Sequence, residues 1–201
     1  MTNLNTQFWN ERYADSDYVY GTEPNEYLRE RLAKLSPGKI LFPCEGEGRN
    51  SVYAAGQGWD SVGFDSSSEG QKKALRLATE RKVRVQYDIY SVLDYPYPEA
   101  EFDAVGIFYA HMPSSVRKTF YHNLIQSLKP GGAIILEVFD KDQLGRPSGG
   151  PQDIDMLCTP EILAEDFKET KILELKKEII SLEEGKFHRG EAVVLRLFAR
   201  K

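Results

Sequence analysis

The stretch Lys39-Ile-Leu-Phe-Pro-Cys-Glu-Gly-Glu-Gly-Arg-Asn50 constrains this chain more than any other. Ile40, Leu41 and Phe42 form a short apolar run of the kind a strand buried on both faces needs. Pro43 ends the ladder because it has no N–H to donate. Gly46 and Gly48 then make a turn, and Arg49 to Ala55 reads as the opening of a helix. Strand, glycine turn and helix start place backbone N–H groups and a positive dipole end beside one crevice, which suits a carboxylate or a phosphate. Two glycines alone fit an ordinary tight turn equally well. Asp65 tips the balance, because it closes a second apolar run, Ser61-Val-Gly-Phe-Asp65. An acidic residue at a second strand tip, about twenty residues past the glycines, is placed to hold a ribose diol.

Before the turn, residues 1–36 are dense in aromatic and turn residues. Phe8, Trp9 and Tyr13 are expected to staple an N-terminal helix onto the sheet. Tyr20-Gly21 reads as a lid, an aromatic and a conformationally free glycine able to fold over a ligand. Arg12 either pairs with a ligand carboxylate or sits in a surface ion pair. Asn25 caps a helix running to Leu35.

Beyond Asp65, Ser66-Ser-Ser-Glu69 has capping-box spacing and predicts a helix to about Arg81. Val83 to Asp88 reads as a third strand. Asp88 and the Ile89 N–H at its tip are placed to meet an exocyclic amine and a ring nitrogen. Phe102–Phe108 is a fourth strand, and His111 just past it is either a local packing residue or a base on the substrate side. A helix over Val116–Leu128 stops at Lys129-Pro-Gly-Gly132, and Ala133–Phe139 is a fifth strand. Residues 140–160 form a loop longer than structural loops usually are, a candidate substrate loop. Thr159-Pro160-Glu161 starts a helix. Residues 171–182 and 191–199 then alternate like an antiparallel hairpin.

Strands alternating with helices, followed by a hairpin, predict an α/β domain spanning 1–201. It would be Rossmann-like and doubly wound, with a mostly parallel seven-stranded sheet, an antiparallel C-terminal hairpin edge and helices on both faces. The net charge of −5 disfavours nucleic acid and anionic membranes. Cys44 and Cys158 are too few for a zinc site or a disulfide framework, so no metal and a cytoplasmic location are expected. No apolar run has spanning length.

The glycine turn, Asp65, Asp88, Lys129-Pro-Gly-Gly and the closing hairpin resemble the class I S-adenosylmethionine-dependent methyltransferases. More narrowly, Phe8-Trp-x-x-Arg12-Tyr13, Tyr20-Gly-Thr-Glu-Pro24, Glu45-Gly-Glu-Gly-Arg-Asn50 and Phe187-His-Arg-Gly190 look like the bacterial tellurite-resistance and thiol methyltransferase group. Phe42 and Cys44 stand where that broader pattern often has an acidic residue and another glycine. The resemblance implies S-adenosylmethionine as cofactor, held by Arg12, Tyr20, Gly21, Glu45, Gly46, Asp65, Ser66, Asp88, Ile89 and Phe108. It places His188, Arg189 and Arg196 in the catalytic role, with His111 on the substrate side. The acceptor would be a small molecule, a chalcogen oxyanion or a thiol, and the protein a monomer or homodimer. Two rivals share the glycine turn: a cofactor-binding but catalytically silent regulator, and a nicotinamide-dependent oxidoreductase. Against the second, Ser51 breaks the G-x-G-x-x-G spacing.

Overall fold

Apolar runs alternating with amphipathic stretches must lay their strands side by side and cover them. The computed structural model describes residues 6–201 and builds them into six helices and seven strands. Backbone contacts gather into two compact units, one ending at Pro96 and the other beginning at Tyr97.

In the first unit, β1 (Lys39–Pro43) pairs in parallel with β2 (Asp60–Asp65), and β2 with β3 (Gln86–Ile89). Ile40, Leu41, Phe42 and Phe64 are fully buried, each contributing roughly 1.5–3 kcal/mol of transfer free energy. Helix α3 (Arg49–Gly56) follows the glycine turn, and α4 (Ser68–Glu80) follows β2. The cap of α4 is Ser67, one residue later than the expected Ser66, and its hydroxyl accepts from Gly70 N–H at 3.0 Å. Asp65 causes the delay: its Oδ1 accepts from Ser67 N–H at 2.9 Å and carries the chain one residue further before the helix begins. Strand β3 also starts later than expected, at Gln86, because Val83 N–H is bonded to Ala78 O at the end of α4. Helix α2 (Glu26–Leu32) is capped by Asn25 as expected, then tightens through i→i+3 bonds from Lys34 and Leu35 and stops short of Leu35. Helix α1 (Thr6–Arg12) packs against α4 rather than stapling to the sheet: Ser67 Oγ donates to Asn10 Oδ1 at 2.7 Å. Of the three stapling aromatics only Tyr13 is buried.

In the second unit, β4 (Phe102–Phe108) pairs in parallel with β5 (Leu128–Phe139), with α5 (Ser114–Ser127) between them in sequence. The next segment is not structureless: single 3₁₀ turns at Lys141–Gln143 and Ile154–Met156 interrupt it. Helix α6 (Pro160–Asp166) has Pro at its first position and Thr159 as cap. The long hairpin β6 (Lys171–Glu183) and β7 (Arg189–Arg200) closes the chain, β7 running antiparallel to β5. The strand order is β3-β2-β1 in the first unit and β4-β5-β7-β6 in the second, where among the described residues β6 pairs with β7 alone.

Candidate functional site

In the first unit the turn after β1 is fastened from several sides. Cys44, Gly46 and Gly48 have φ of 52°, 58° and 85°, the left-handed region that glycine adopts most readily. Cys44 thus holds a glycine-like conformation where the resemblance has glycine. Glu45 Oε1 accepts from Ser51 N–H at 2.6 Å and caps the first turn of α3. Asp65 Oδ2 accepts from Gly46 N–H at 3.0 Å, while Tyr87 donates its hydroxyl to Gly46 O at 2.6 Å. A Cβ on Gly46 would lie 2.6 Å from the Tyr13 hydroxyl oxygen.

Burial controls the electrostatics here. It pushes the Asp65 carboxyl from 3.8 up to about 6, opposed only by the N–H groups of Ser67, Gly46 and Ser66. It pushes Glu45 from 4.5 up to about 7, against the N–H bonds at Ser51 and Asn50 and the charge of Arg49. The Tyr13 and Tyr87 phenols and the Cys44 thiol are raised by burial and by the nearby Asp65 charge.

Glu47, between the two glycines, reaches back to the N-terminal segment. Its carboxylate accepts from Val19 N–H (2.9 and 3.1 Å), Tyr20 N–H (3.2 Å) and Lys73 Nζ (2.7 Å). Lys73 also donates to Asp17 O at 2.6 Å. Tyr20 is thereby held over the same turn, with Arg12 Nη1 donating to its hydroxyl at 3.4 Å. Gly21 follows at φ 75°. Arg12, Tyr20, Gly21, Glu45, Gly46, Asp65 and Ser66 therefore belong to one neighbourhood. Asp88 and Ile89 lie in register with Phe64 and Asp65, but Asp88 accepts from its own strand's Gln86 and Ile89 is 46% exposed. Tyr13, Glu47, Lys73 and Tyr87 are the residues that sequence reasoning missed. Only Glu47 carried a signal, its place inside the glycine turn.

In the second unit, His188 is buried, with Nδ1 3.1 Å from Glu184 Oε2. Its ring meets Tyr109 and Phe139 edge-on, with centroids at 4.5 and 5.5 Å. His111 stacks on Phe139 at 5.4 Å, and its Nδ1 lies 3.3 Å from Met156 O. Burial pushes the His111 imidazole down to about 3, so it stays neutral. Tyr109, at φ 52°, donates its hydroxyl to Glu137 Oε1 at 2.6 Å. Glu137 Oε2 in turn accepts from Arg196 Nε at 2.6 Å, and Arg196 Nη1 donates to Glu178 Oε2 at 2.8 Å. Gly149 presses on His188: a Cβ there would lie 2.8 Å from Cδ2 and 3.4 Å from Nε2. Gln143 fastens this loop, donating to Ser148 Oγ and Gly149 O and accepting from Val193 N–H. Phe108 is buried in β4, and Arg189 is exposed at the start of β7. His111, His188 and Arg196 are thus joined through Tyr109, Phe139 and Glu137, while Arg189 stands outside that network.

Residues 40–132 match the family described as a methyltransferase domain. An uncharacterized methyltransferase of Synechocystis sp. is 35% identical over 122 residues, 59% of this chain and 53% of the relative. The chain therefore spans about half the length of that curated relative. TehB from Haemophilus influenzae superposes with a TM-score of 0.72 at 15% identity, covering 98% of this chain and 66% of TehB. An S-adenosylmethionine-dependent methyltransferase from Methanosarcina mazei gives 0.66 at 16% identity, covering 86% and 96%. A protein solved in work on converting a disulfide bond into a thioacetal group during echinomycin biosynthesis gives 0.77 at 16% identity, covering 98% and 92%. At these identities the solved structures establish the fold. The match over residues 40–132 and the shared fold make S-adenosylmethionine the group to fit against the turn of the first unit. The first unit fits that group: two desolvated carboxylates, Asp65 and Glu45, suit a ligand bearing hydroxyls and positive charge.

Proposed function

We propose that this chain transfers a methyl group from S-adenosylmethionine to a small-molecule acceptor, a chalcogen oxyanion or a thiol, by direct in-line displacement. The observation that carries the reading is the fastened turn of the first unit, with buried Asp65 and Glu45 beneath the latched Tyr20. Asp65 would hold the ribose hydroxyls, Glu45 the positive end of the methionyl part, and Arg12 its carboxylate. Tyr20 and Gly21 cover it. Ser66, Asp88, Ile89 and Phe108 would complete the cofactor set. When bound, the cofactor supplies an electrophilic methyl group on a positively charged sulfur. The remaining task is placement of a nucleophile, which can supply up to roughly 7–11 kcal/mol. His188, Arg189, Arg196 and His111 are assigned to the acceptor.

The narrower choice of acceptor is supported by the four motifs shared with the tellurite-resistance and thiol methyltransferase group. In this reading residues 1–201 act as one cytoplasmic domain, as a monomer or homodimer, with 1–36 as lid and 140–160 as substrate loop. No helix among the described residues is long and apolar enough to cross a membrane. The test is parallel calorimetric titration with S-adenosylmethionine, S-adenosylhomocysteine and NADH. Micromolar binding of the first two, lost in Asp65→Ala, followed by methylation of a thiol, selenite or tellurite, is the expected result. Binding of NADH alone would overturn the reading. Tight cofactor binding with no acceptor methylated would favour a silent regulator.

A further inference from the structure

The segment between Tyr13 and Gly21 in the first unit is tied down at two depths. Ala14 to Asp17 are exposed, and the outer ties come from Arg76 of α4, itself exposed, which donates to Ser16 O at 2.8 Å and to the Tyr18 hydroxyl at 3.1 Å. The inner tie is Glu47. Its carboxylate accepts from Val19 N–H, Tyr20 N–H and Lys73 Nζ, and the Glu47 and Lys73 side chains are only 3% and 7% exposed. Water competes for the outer bonds and is kept from the inner ones, so Glu47 carries the hold. Beyond the segment the chain is anchored separately: Tyr13 N–H donates to Trp9 O, and Asn25 N–H donates to Asn50 Oδ1 at 2.9 Å. Gly21, at φ 75°, lies between the Glu47 tie and the Asn25 anchor. Rotation at that glycine can lift residues 14–20 while both anchors stay in place.

The carboxylates assigned to the cofactor, Asp65 and Glu45, are buried, and Tyr13 and Tyr20 stand at the two ends of the covering segment with ring centroids 6.4 Å apart. A ligand of nucleoside size reaches buried carboxylates only after a covering segment moves away. We propose that Glu47 is a positioning residue that latches residues 14–20 over the cofactor, and that its bonds to Val19 and Tyr20 break each time cofactor enters or S-adenosylhomocysteine leaves. The proposal rests on the methyltransferase reading above. The turn itself does not depend on the latch: Asp65 accepts from Gly46 N–H, Tyr87 donates to Gly46 O, and Glu45 accepts from Ser51 N–H. Losing the latch therefore frees the cover without unmaking the turn. Because the latch is closed both before binding and after it, its strength cancels from the binding equilibrium. That strength remains in the rates of entry and exit.

The experiment follows binding of S-adenosylmethionine and S-adenosylhomocysteine by stopped-flow tryptophan fluorescence in wild type and Glu47→Gln. Calorimetric affinities and amide hydrogen exchange at Val19 and Tyr20 are measured beside it. In wild type the observed association rate should level off as cofactor concentration rises, at the rate of latch opening. Glu47→Gln keeps an acceptor oxygen but loses the charge, so entry and exit should both speed up about 10–100-fold while Kd moves less than about threefold. The Val19 and Tyr20 amides should exchange faster by the same factor as entry. A role in folding alone would weaken Kd and lower the urea midpoint with association rising linearly in both proteins, and that result would overturn the proposal. If Glu47→Gln does not fold, wild type decides by itself. A linear rise there, or Val19 and Tyr20 amides exchanging as fast as those of exposed Ala14 and Asp15, would overturn the proposal and leave the methyltransferase reading intact. Wild type that binds neither ligand would overturn both.

Discussion

Removing one buried proton site in the glycine turn should flatten the pH dependence of stability. Glu45 rises from 4.5 in the open chain to about 7 when folded, and Asp65 from 3.8 to about 6. A carboxyl whose folded pKa is raised stabilises the fold fully below its unfolded value and loses that contribution as pH climbs through the folded one. Between about pH 5 and about pH 7.5 the loss is about 2.5 kcal/mol for Glu45 and about 1.5 kcal/mol for Asp65. His111 works in the opposite sense. Its folded pKa near 3 lies below the ordinary 6.5, so stability of about 2 kcal/mol is regained over the same window. The net expectation is a fall of about 2 kcal/mol, opposite to the rise that salt-bridged carboxylates give on leaving acid. Glu45→Gln keeps an acceptor oxygen for Ser51 N–H but cannot titrate, so the same span should become nearly flat. Urea unfolding followed by tryptophan fluorescence at the two pH values measures both slopes. A variant that falls as steeply as wild type would refute the assignment of the buried proton to Glu45.

Three further outcomes are expected. Glu47→Ala should cost about 3–5 kcal/mol, because it strands Lys73, whose side chain is 7% exposed. Adding Lys73→Met should restore only part of that, since Val19 and Tyr20 N–H still lack their acceptor; urea melts and limited proteolysis of residues 14–20 would report it. Arg117→Met should cost about 3–5 kcal/mol by leaving Asp166 buried and unpaired, and a paired Asp166→Leu should recover most of it in the same melts. Gly48→Ala places a Cβ 2.4 Å from Ala74 Cβ at φ 85°. It should cost at least about 2 kcal/mol and weaken cofactor binding by calorimetry.

What the sequence made legible were the features written in contiguous residues. Ile40–Phe42 is an uninterrupted apolar run, Asp65 ends another, and residues 171–199 alternate over a length that only a hairpin satisfies. Boundaries slipped where a side chain redirected the backbone: Asp65 moved the α4 cap from Ser66 to Ser67, and the Val83 bond to Ala78 shortened β3. The site was half legible for the same reason. Glycines and strand-tip acids are local signals, but the grip of Glu47 on Val19 and Tyr20 spans more than two dozen positions and leaves no pattern. Nor do contiguous residues tell what Arg196 meets in the fold. Register gives Arg196 two carboxylate partners, because β5 and β6 bring Glu137 and Glu178 to it from either side. Arg200 and Lys201 are likewise turned to the carbonyls of Gly131, Gln126 and Leu128.

The outermost strand, β6, has a bearing on how this chain behaves when crowded. Thirteen residues of backbone lie along it with a partner on one side only among the described residues, and Leu173 and Ile179 are more than half exposed. Such a margin is a template on which another chain can add a strand. Lys171, Lys176 and Lys177 punctuate it with charge, and the register shift between Ile172 and Glu174 breaks its flatness. Those lysines act as gatekeepers against fibre growth. Exchanging them for threonine, a better strand former, would raise the local propensity and at the same time remove the barrier to polymerisation.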